Sequence, residues 1–178
     1  MAKEWMTMNP NMQKLMKLSG FFRVLVLIAT AVVVVYLGYS YLIEGEIRFS
    51  TSHLFLEAWN DERANKGILL AIQMPLFLTL FIGVYWLQKL LSYYQQGHFF
   101  GSESMHCYLW LIWLKVFDFV LEIAQVLVTG YYHRSIFKHS SIELPIDFGD
   151  FTTILLMLII VYLLKAAKEI EAENREFI

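Results

Sequence analysis

The sequence predicts an all-α, polytopic membrane protein with four transmembrane helices in an antiparallel bundle. The 178 residues are 58% hydrophobic and only 17% charged, with a mean hydropathy of +0.52, which is too apolar for an ordinary soluble domain. The chain also has four apolar stretches near the ~20 residues that a helix needs to cross the hydrocarbon core. We expect a single membrane domain over residues 1–178, with a helical cytoplasmic tail at 169–178 and spans at about 20–43, 67–94, 107–130 and 151–168.

The first span, residues 20–43, is the clearest of the four. It has Arg23 near one end, where a long basic side chain reaches the interface, and three tyrosines near the other end. Its apolar core is longer than that of a signal peptide, so we expect a retained anchor. Before it, residues 1–18 mix lysines with Trp, Met and Leu, a pattern typical of a short helix on the membrane surface.

The second span, residues 67–94, contains Pro75. Proline removes a backbone hydrogen bond within a helix, so we expect a kink there. The polar segment 44–66 before this span is expected to be a loop with a short interfacial helix at about 54–59. The connector 95–106 after it contains two glycines and is short enough to predict a tight helical hairpin.

The third span, residues 107–130, is the unusual one because it carries charges. At 100° per residue, Lys115, Asp118, Glu122 and Gln125 fall on one stripe of the helix. Charged side chains inside a bilayer cost about 2.5 kcal/mol or more each on insertion scales, so they face a bundle interior or water and have partners. The sequence therefore predicts an intramembrane polar cluster of these four residues.

The charges of this cluster do not balance. Lys115 lies three residues before Asp118, and Glu122 follows four residues later, so the three side chains are within reach of one another. We find no second cation at a similar depth in the other spans, which leaves one carboxylate over. Either Lys115 pairs with Asp118 beside a protonated or hydrogen-bonded Glu122 and the cluster only stabilises the bundle, or the cluster responds to protons or cations.

The distribution of Lys and Arg predicts the orientation. With the N-terminus inside, eight basic residues lie on the cytoplasmic side and five lie outside, and Lys115 is within a span. Cytoplasmic segments carry the excess of Lys and Arg in most membrane proteins. We therefore expect a multi-pass protein of the cell inner membrane with both termini in the cytoplasm.

Several classes of function receive no support from the sequence. A net charge of −2 without a basic patch argues against direct binding of nucleic acid. The single Cys107 allows neither an internal disulfide nor a redox pair. All five histidines fall in predicted loops, no metal-ligand spacing occurs, and no nucleophile with a base appears. We expect no enzyme activity, no catalytic or metal-ligating residues, and no cofactor.

Two segments resemble a known family. The hairpin QQGHFFGSESMHCYLWLIWLKVFDF and the tail KEIEAENREFI are similar to the corresponding parts of a bacterial family known as "domain of unknown function 2975". His98 stands where that family commonly has an acidic residue. The resemblance implies a four-helix inner-membrane protein without established chemistry, often encoded near a small helix-turn-helix regulator.

Two classes of function remain open. The first is a non-enzymatic interaction or regulatory protein, in which the bilayer-anchored helices present the hairpin and the tail to a cytoplasmic partner, such as a helix-turn-helix regulator, or form a homo-oligomer. The second is an ion- or proton-responsive, transporter-like protein that uses Lys115, Asp118 and Glu122. The chain shows no internal repeat, which argues against a self-contained transporter.

Overall fold

The computed structural model describes residues 10–45, 52–99, 101–137 and 148–176. These residues form five α-helices, namely α1 (Pro10–Tyr39), α2 (His53–Asn60), α3 (Lys66–Gln95), α4 (Ser102–Phe137) and α5 (Phe148–Glu176). No β-strand occurs in these four ranges. The all-helical fold class is confirmed.

Three helices are long and apolar enough to cross a membrane. The qualifying segments are Met12–Ile43, Lys66–Gln95 and Gly149–Ala166. They leave large apolar side chains on the outside of the molecule, such as Leu42 at 79% and Met74 at 58% exposure, which water would not favour and lipid would. The chain is therefore a membrane protein. The longest helix, α4, is not among the three and carries Lys115, Asp118 and Glu122 in its central turns.

The four long helices adjoin in sequence order. Backbone contacts join α1 to α3, α3 to α4 and α4 to α5, and within the described ranges no other pair of long helices approaches closely. Gly20 of α1 lies beside Gln95, the last residue of α3. Gly45, after the end of α1, accepts a hydrogen bond from Trp59, which is buried with Leu69 near the start of α3, so these two helices are antiparallel. Neighbours therefore pack antiparallel at least along α1, α3 and α4, whereas the predicted bundle of four spans is not confirmed.

The first helix is longer than the first predicted span. It begins at Pro10 and runs without interruption through the residues for which we predicted a separate surface helix; residues 1–9 lie outside the described part of the chain. A proline in the first turn is favourable, because the amide hydrogen it lacks has no partner there in any helix. At its other end α1 continues into a π-helical turn, Ser40–Glu44, which ends at Gly45 with a φ of 67°. Glycine adopts this left-handed conformation without strain.

A small cap closes one end of the molecule. We use "cap" for α2 together with residues 61–65 and the ends of α3 and α4 that they contact. Phe55 and Trp59 of α2 are buried with Leu69 of α3, and the Trp59 indole donates a hydrogen bond of 2.9 Å to the carbonyl of Gly45. The helix expected at about 54–59 is thus present, and it ties α1, α3 and α4 together.

The opposite end of α3 and α4 is a tight hairpin. Only residues 96–101 separate the two helices, and Gly97 has a φ of 84°. Because α4 begins at Ser102 and ends at Phe137, it extends beyond the predicted span at both ends. His106 and His133, which we expected in loops, therefore lie within α4.

Candidate functional site

The predicted polar stripe lies on one side of α4. Lys115, Asp118, Glu122 and Gln125 are all half-buried, and α4 is helical throughout this stretch. The opposite side of the helix presents large apolar side chains, such as Trp113 at 68% exposure. The two sides of α4 are thus chemically different, and its polar side is directed toward α3 and α5.

Lys115 has a closer partner than the one we predicted. Its Nζ atom lies 2.7 Å from Oδ1 of Asp150 and 3.8 Å from Oδ2 of Asp118. Sequence reasoning missed Asp150 because it placed residues 130–150 in a loop, whereas Asp150 lies in the first turn of α5. The available signal was an acidic residue immediately before an apolar run, a position that the helix macrodipole favours.

The other oxygen of Asp118 contacts α3. Thr79, which is buried, has its Oγ1 atom 2.9 Å from Oδ1 of Asp118 and 2.8 Å from the carbonyl oxygen of Leu76. A hydroxyl group has one hydrogen and can also accept. Thr79 can therefore donate to an ionised Asp118, or donate to Leu76 and accept from a protonated Asp118, so this position accommodates both states of the carboxyl group.

A second polar contact between α4 and α3 is made by two amide side chains, about two turns along α4 from Asp118. The Nε2 atom of Gln125 donates to Oε1 of Gln73, and Gln73 is buried. Thr79 and Gln73 lie on either side of Pro75, which α3 includes without ending. The polar side chains of α3 near this proline are thus directed at the polar side of α4.

Together these contacts define the charge cluster, by which we mean Lys115, Asp118, Glu122 and Asp150. It contains three carboxyl groups and one ammonium group, so its net charge is −2 when all are ionised. Glu122 lies on the same face of α4 as Asp118 and also has a polar or electrostatic interaction partner. Among the described residues, no three His, Cys, Asp or Glu side chains are arranged to hold a metal ion. A proton is the simplest species that would reduce this excess charge.

The cap contains a second group of titratable side chains. His133 of α4 is buried, and its Nε2 atom lies 3.1 Å from Oε2 of Glu57. The same oxygen is 3.8 Å from Nδ1 of His53. Nearby, hydrogen bonds from Arg63 lower the pKa of the half-buried Asp61 carboxyl from 3.8 to about 2. His53, Glu57 and Asp61 line an open groove, so these three side chains are accessible to water.

Comparisons with known proteins identify the family to which the chain is similar. A family model described as "Protein of unknown function (DUF2975)" matches residues 25–178. No curated protein matches the chain significantly, and no solved structure does. The match covers most of the chain and agrees with the resemblance of the hairpin and the tail.

Proposed function

Since the chain belongs to the DUF2975 family of proteins of unknown function, we propose its function from the geometry of the charge cluster. We propose a multi-pass protein of the cell inner membrane, with both termini in the cytoplasm, that responds to protons or cations through the cluster. The observation that carries the proposal is that Lys115 is the only cation in this cluster of three carboxyl groups and has two of them, Asp118 and Asp150, within 4 Å.

The depth of the cluster supports this proposal. Lys66 lies over the Trp59 ring and Lys89 lies over the Trp86 ring, and such amphipathic pairs mark membrane interfaces. The segment of α3 from Lys66 to Trp86 is about 30 Å long, which is the thickness of the hydrocarbon core. Thr79 and its partner Asp118 lie between these limits, so the carboxyl group belongs inside the bilayer.

The same argument brings α4 and α5 into the membrane. Gln125 meets Gln73, Asp118 meets Thr79 and Trp110 stacks on Trp86 at 5.3 Å, so α4 follows α3 through its whole apolar length. Asp150 and Phe151, at the start of α5, contact Lys115 and Phe119 near the middle of α4. In our proposal α4 therefore lies in the bilayer beside α3, and the start of α5 packs against α4 at the depth of the cluster.

The energetics favour a group that changes its protonation state. Ionised carboxyl groups in a medium of low dielectric constant repel one another, and one positive charge compensates only one of them. Asp150 is the closest partner of Lys115, and its position in the first turn of α5 further stabilises its negative charge. Asp118 and Glu122 are then the groups that share the remaining proton or bind a cation.

Infrared difference spectroscopy of the protein in lipid vesicles tests the proposal. Between acidic and alkaline buffer, the carbonyl band of a protonated carboxyl group should change in intensity in the wild type. This change should be smaller in Asp118→Asn or Glu122→Gln. Glu103→Gln, which alters an exposed acid in the first turn of α4, is the matched control and should keep the band. A cluster that shows no titrating carboxyl band at any pH, or a band that both variants retain, would exclude this function.

A second candidate is the binding of a partner by the tail. The helix α5 continues to Glu176, ten residues beyond the end of its apolar segment at Ala166, and the spacing of Lys165 and Glu169, four residues apart, supports such a projecting helix. The partner in this proposal is a cytoplasmic protein, such as a helix-turn-helix regulator, or a second copy of the chain. Truncation after Lys168 should then abolish partner binding without reducing the amount of protein in the membrane.

A further inference from the structure

The polar side of α4 does not stop at the charge cluster. Beyond Glu122 and Gln125, the same helical spacing of three or four residues continues through Thr129 to His133. His133 then contacts Glu57 in the cap. One polar line thus runs along α4 from the charge cluster to a surface that water reaches.

Two members of this line carry unsatisfied polar atoms. Thr129 and His133 are only 1% and 2% exposed, and Oγ1 of Thr129 and Nδ1 of His133 are the two buried side-chain atoms in the described ranges that lack a hydrogen-bond partner. A buried polar atom without a partner costs about 1–3 kcal/mol. Such atoms are commonly satisfied by an internal water molecule, which bonds to two or more of them.

The positions of these two atoms suit a shared water molecule. Side chains on an α-helix lean toward its N-terminus, so the His133 ring covers the turn that contains Thr129. Residues four apart have Cβ atoms about 6 Å from each other, and a bridging water joins polar atoms separated by about this distance. The unsatisfied nitrogen and the unsatisfied hydroxyl therefore belong to side chains on adjacent turns of the same face of α4.

We infer that α4 carries a hydrated proton path from the cap to the charge cluster, through Glu57, His133, Thr129 and Gln125. The inference rests on the proposed function. It adds which ion the cluster binds and from which end of the molecule that ion enters. The species is the proton, taken up at the end of the molecule that carries α2.

Each position has a role in this path. Glu57, with its side chain 45% exposed, and His53, at 91%, collect protons from water. The His133 ring takes up a proton at Nε2 from Glu57 and releases one from Nδ1 to the adjoining water, so that the ring carries one additional proton only during transfer. Thr129 and Gln125 orient the water molecules that pass it to Glu122 and Asp118.

The charged groups around His133 fit this role. From α2 it is faced by Glu57 and, through that carboxyl group, by His53. The Phe137 ring stacks on His133 at 4.3 Å. The guanidinium of Arg63 lies over the Phe137 ring, and its charge is balanced by Asp61. Lys66, over Trp59, is the basic residue at the start of α3. Glu57 is therefore the carboxyl group in direct contact with the imidazole.

The experiment uses the full chain in vesicles and follows the carboxyl band of the cluster in time after a rapid drop of pH. Thr129→Val keeps the shape and removes the hydroxyl, and it should slow protonation about tenfold, because one hydrogen-bonded link of the path is lost. Thr129→Ser restores a hydroxyl and should restore the rate. The final extent of protonation should be the same in all three proteins.

His133→Gln supplies a second variant and should also slow the reaction, and Thr30→Val, which alters a threonine of α1 bonded to its own helix, should not. An unchanged rate in both Thr129→Val and His133→Gln would overturn the path while leaving a titrating cluster in place. Absence of any titrating band in the wild type would instead remove the proposed function itself. Equal slowing by Thr30→Val would show a general loss of packing and would also overturn the path.

Discussion

Lys115 is the residue on which the electrostatics of the molecule depend. Its Nζ atom lies 2.7 Å from Asp150 and 3.8 Å from Asp118. Asp118 is on the same helix, whereas Asp150 is at the start of α5, so Lys115 also joins α4 to α5. A lysine in this position compensates only part of the negative charge. Its loss would leave the carboxyl groups of the cluster without a compensating cation.

Replacing Lys115 should therefore be more harmful than replacing Lys115 and a partner together. Lys115→Leu should destabilise the protein by up to about 3 kcal/mol, and Lys115→Leu with Asp150→Asn should recover part of this loss. The double variant with Asp118→Leu should also be more stable than Lys115→Leu alone. Thermal unfolding in detergent measures the order. Lys89→Leu, which removes a lysine at the interface, is the control, and equal losses in the single and double variants would contradict the role of Lys115.

Among individual residues, the sequence identifies those members of the site that lie on α4. The spacing of Lys115, Asp118, Glu122 and Gln125 on one helix determines which residues share a face, and no tertiary information is needed for that. Thr79 and Asp150 come from other helices, and their contacts depend on how α3 and α5 pack against α4. The stripe was therefore predictable, whereas the closest partner of Lys115 was not.

Among the elements, α2 has a role out of proportion to its length of eight residues. The side chain of Phe55 is 0% exposed, and it belongs to one apolar cluster with Trp59, Leu69 of α3 and Tyr132 of α4. These contacts hold α2 against α3 and α4, and so hold Glu57 against His133. The position of the titratable groups in the cap thus depends on apolar packing beneath them.

Phe55→Ala should release α2 from the cap. Removing a buried phenylalanine ring costs about 3–5 kcal/mol, which exceeds what a helix of two turns gains by itself. Amide hydrogen exchange should show faster exchange in α2 while α3 and α4 remain protected. Leu56→Ala, which alters the neighbouring side chain at 37% exposure, should change exchange only slightly. Equal effects of the two substitutions would mean that the cap is not held by this packing.

The elements also show why helix ends were predicted less well than helix positions. The apolar runs determine where a helix crosses lipid, but α1 and α4 continue into polar sequence at Pro10 and Phe137. Those added turns are stabilised by contacts between helices, such as His133 with Glu57. Hydropathy alone carries no information about such contacts, so His133 was assigned to a loop.

For the whole molecule, the cap and the α3–α4 hairpin lie at opposite ends of the same pair of helices. Ser52 directly precedes α2 in the cap, and Ser102 is the first residue of α4 at the hairpin. About 45 Å of helix separates the two ends of α3, which exceeds the hydrocarbon thickness. In the proposed topology, these two ends therefore lie on opposite sides of the bilayer.

The excess of basic residues beside the N-terminus and the hairpin sets the direction, and it predicts that the cap faces outside. In a Cys107→Ser background, a cysteine at Ser52 should react in intact cells with a thiol reagent that cannot cross the membrane, and one at Ser102 should react only after the membrane is opened. A cysteine at Ser140, outside the described residues, should behave like that at Ser52. Reaction at Ser102 in intact cells would reverse the orientation and would place the cap, with Glu57, in the cytoplasm.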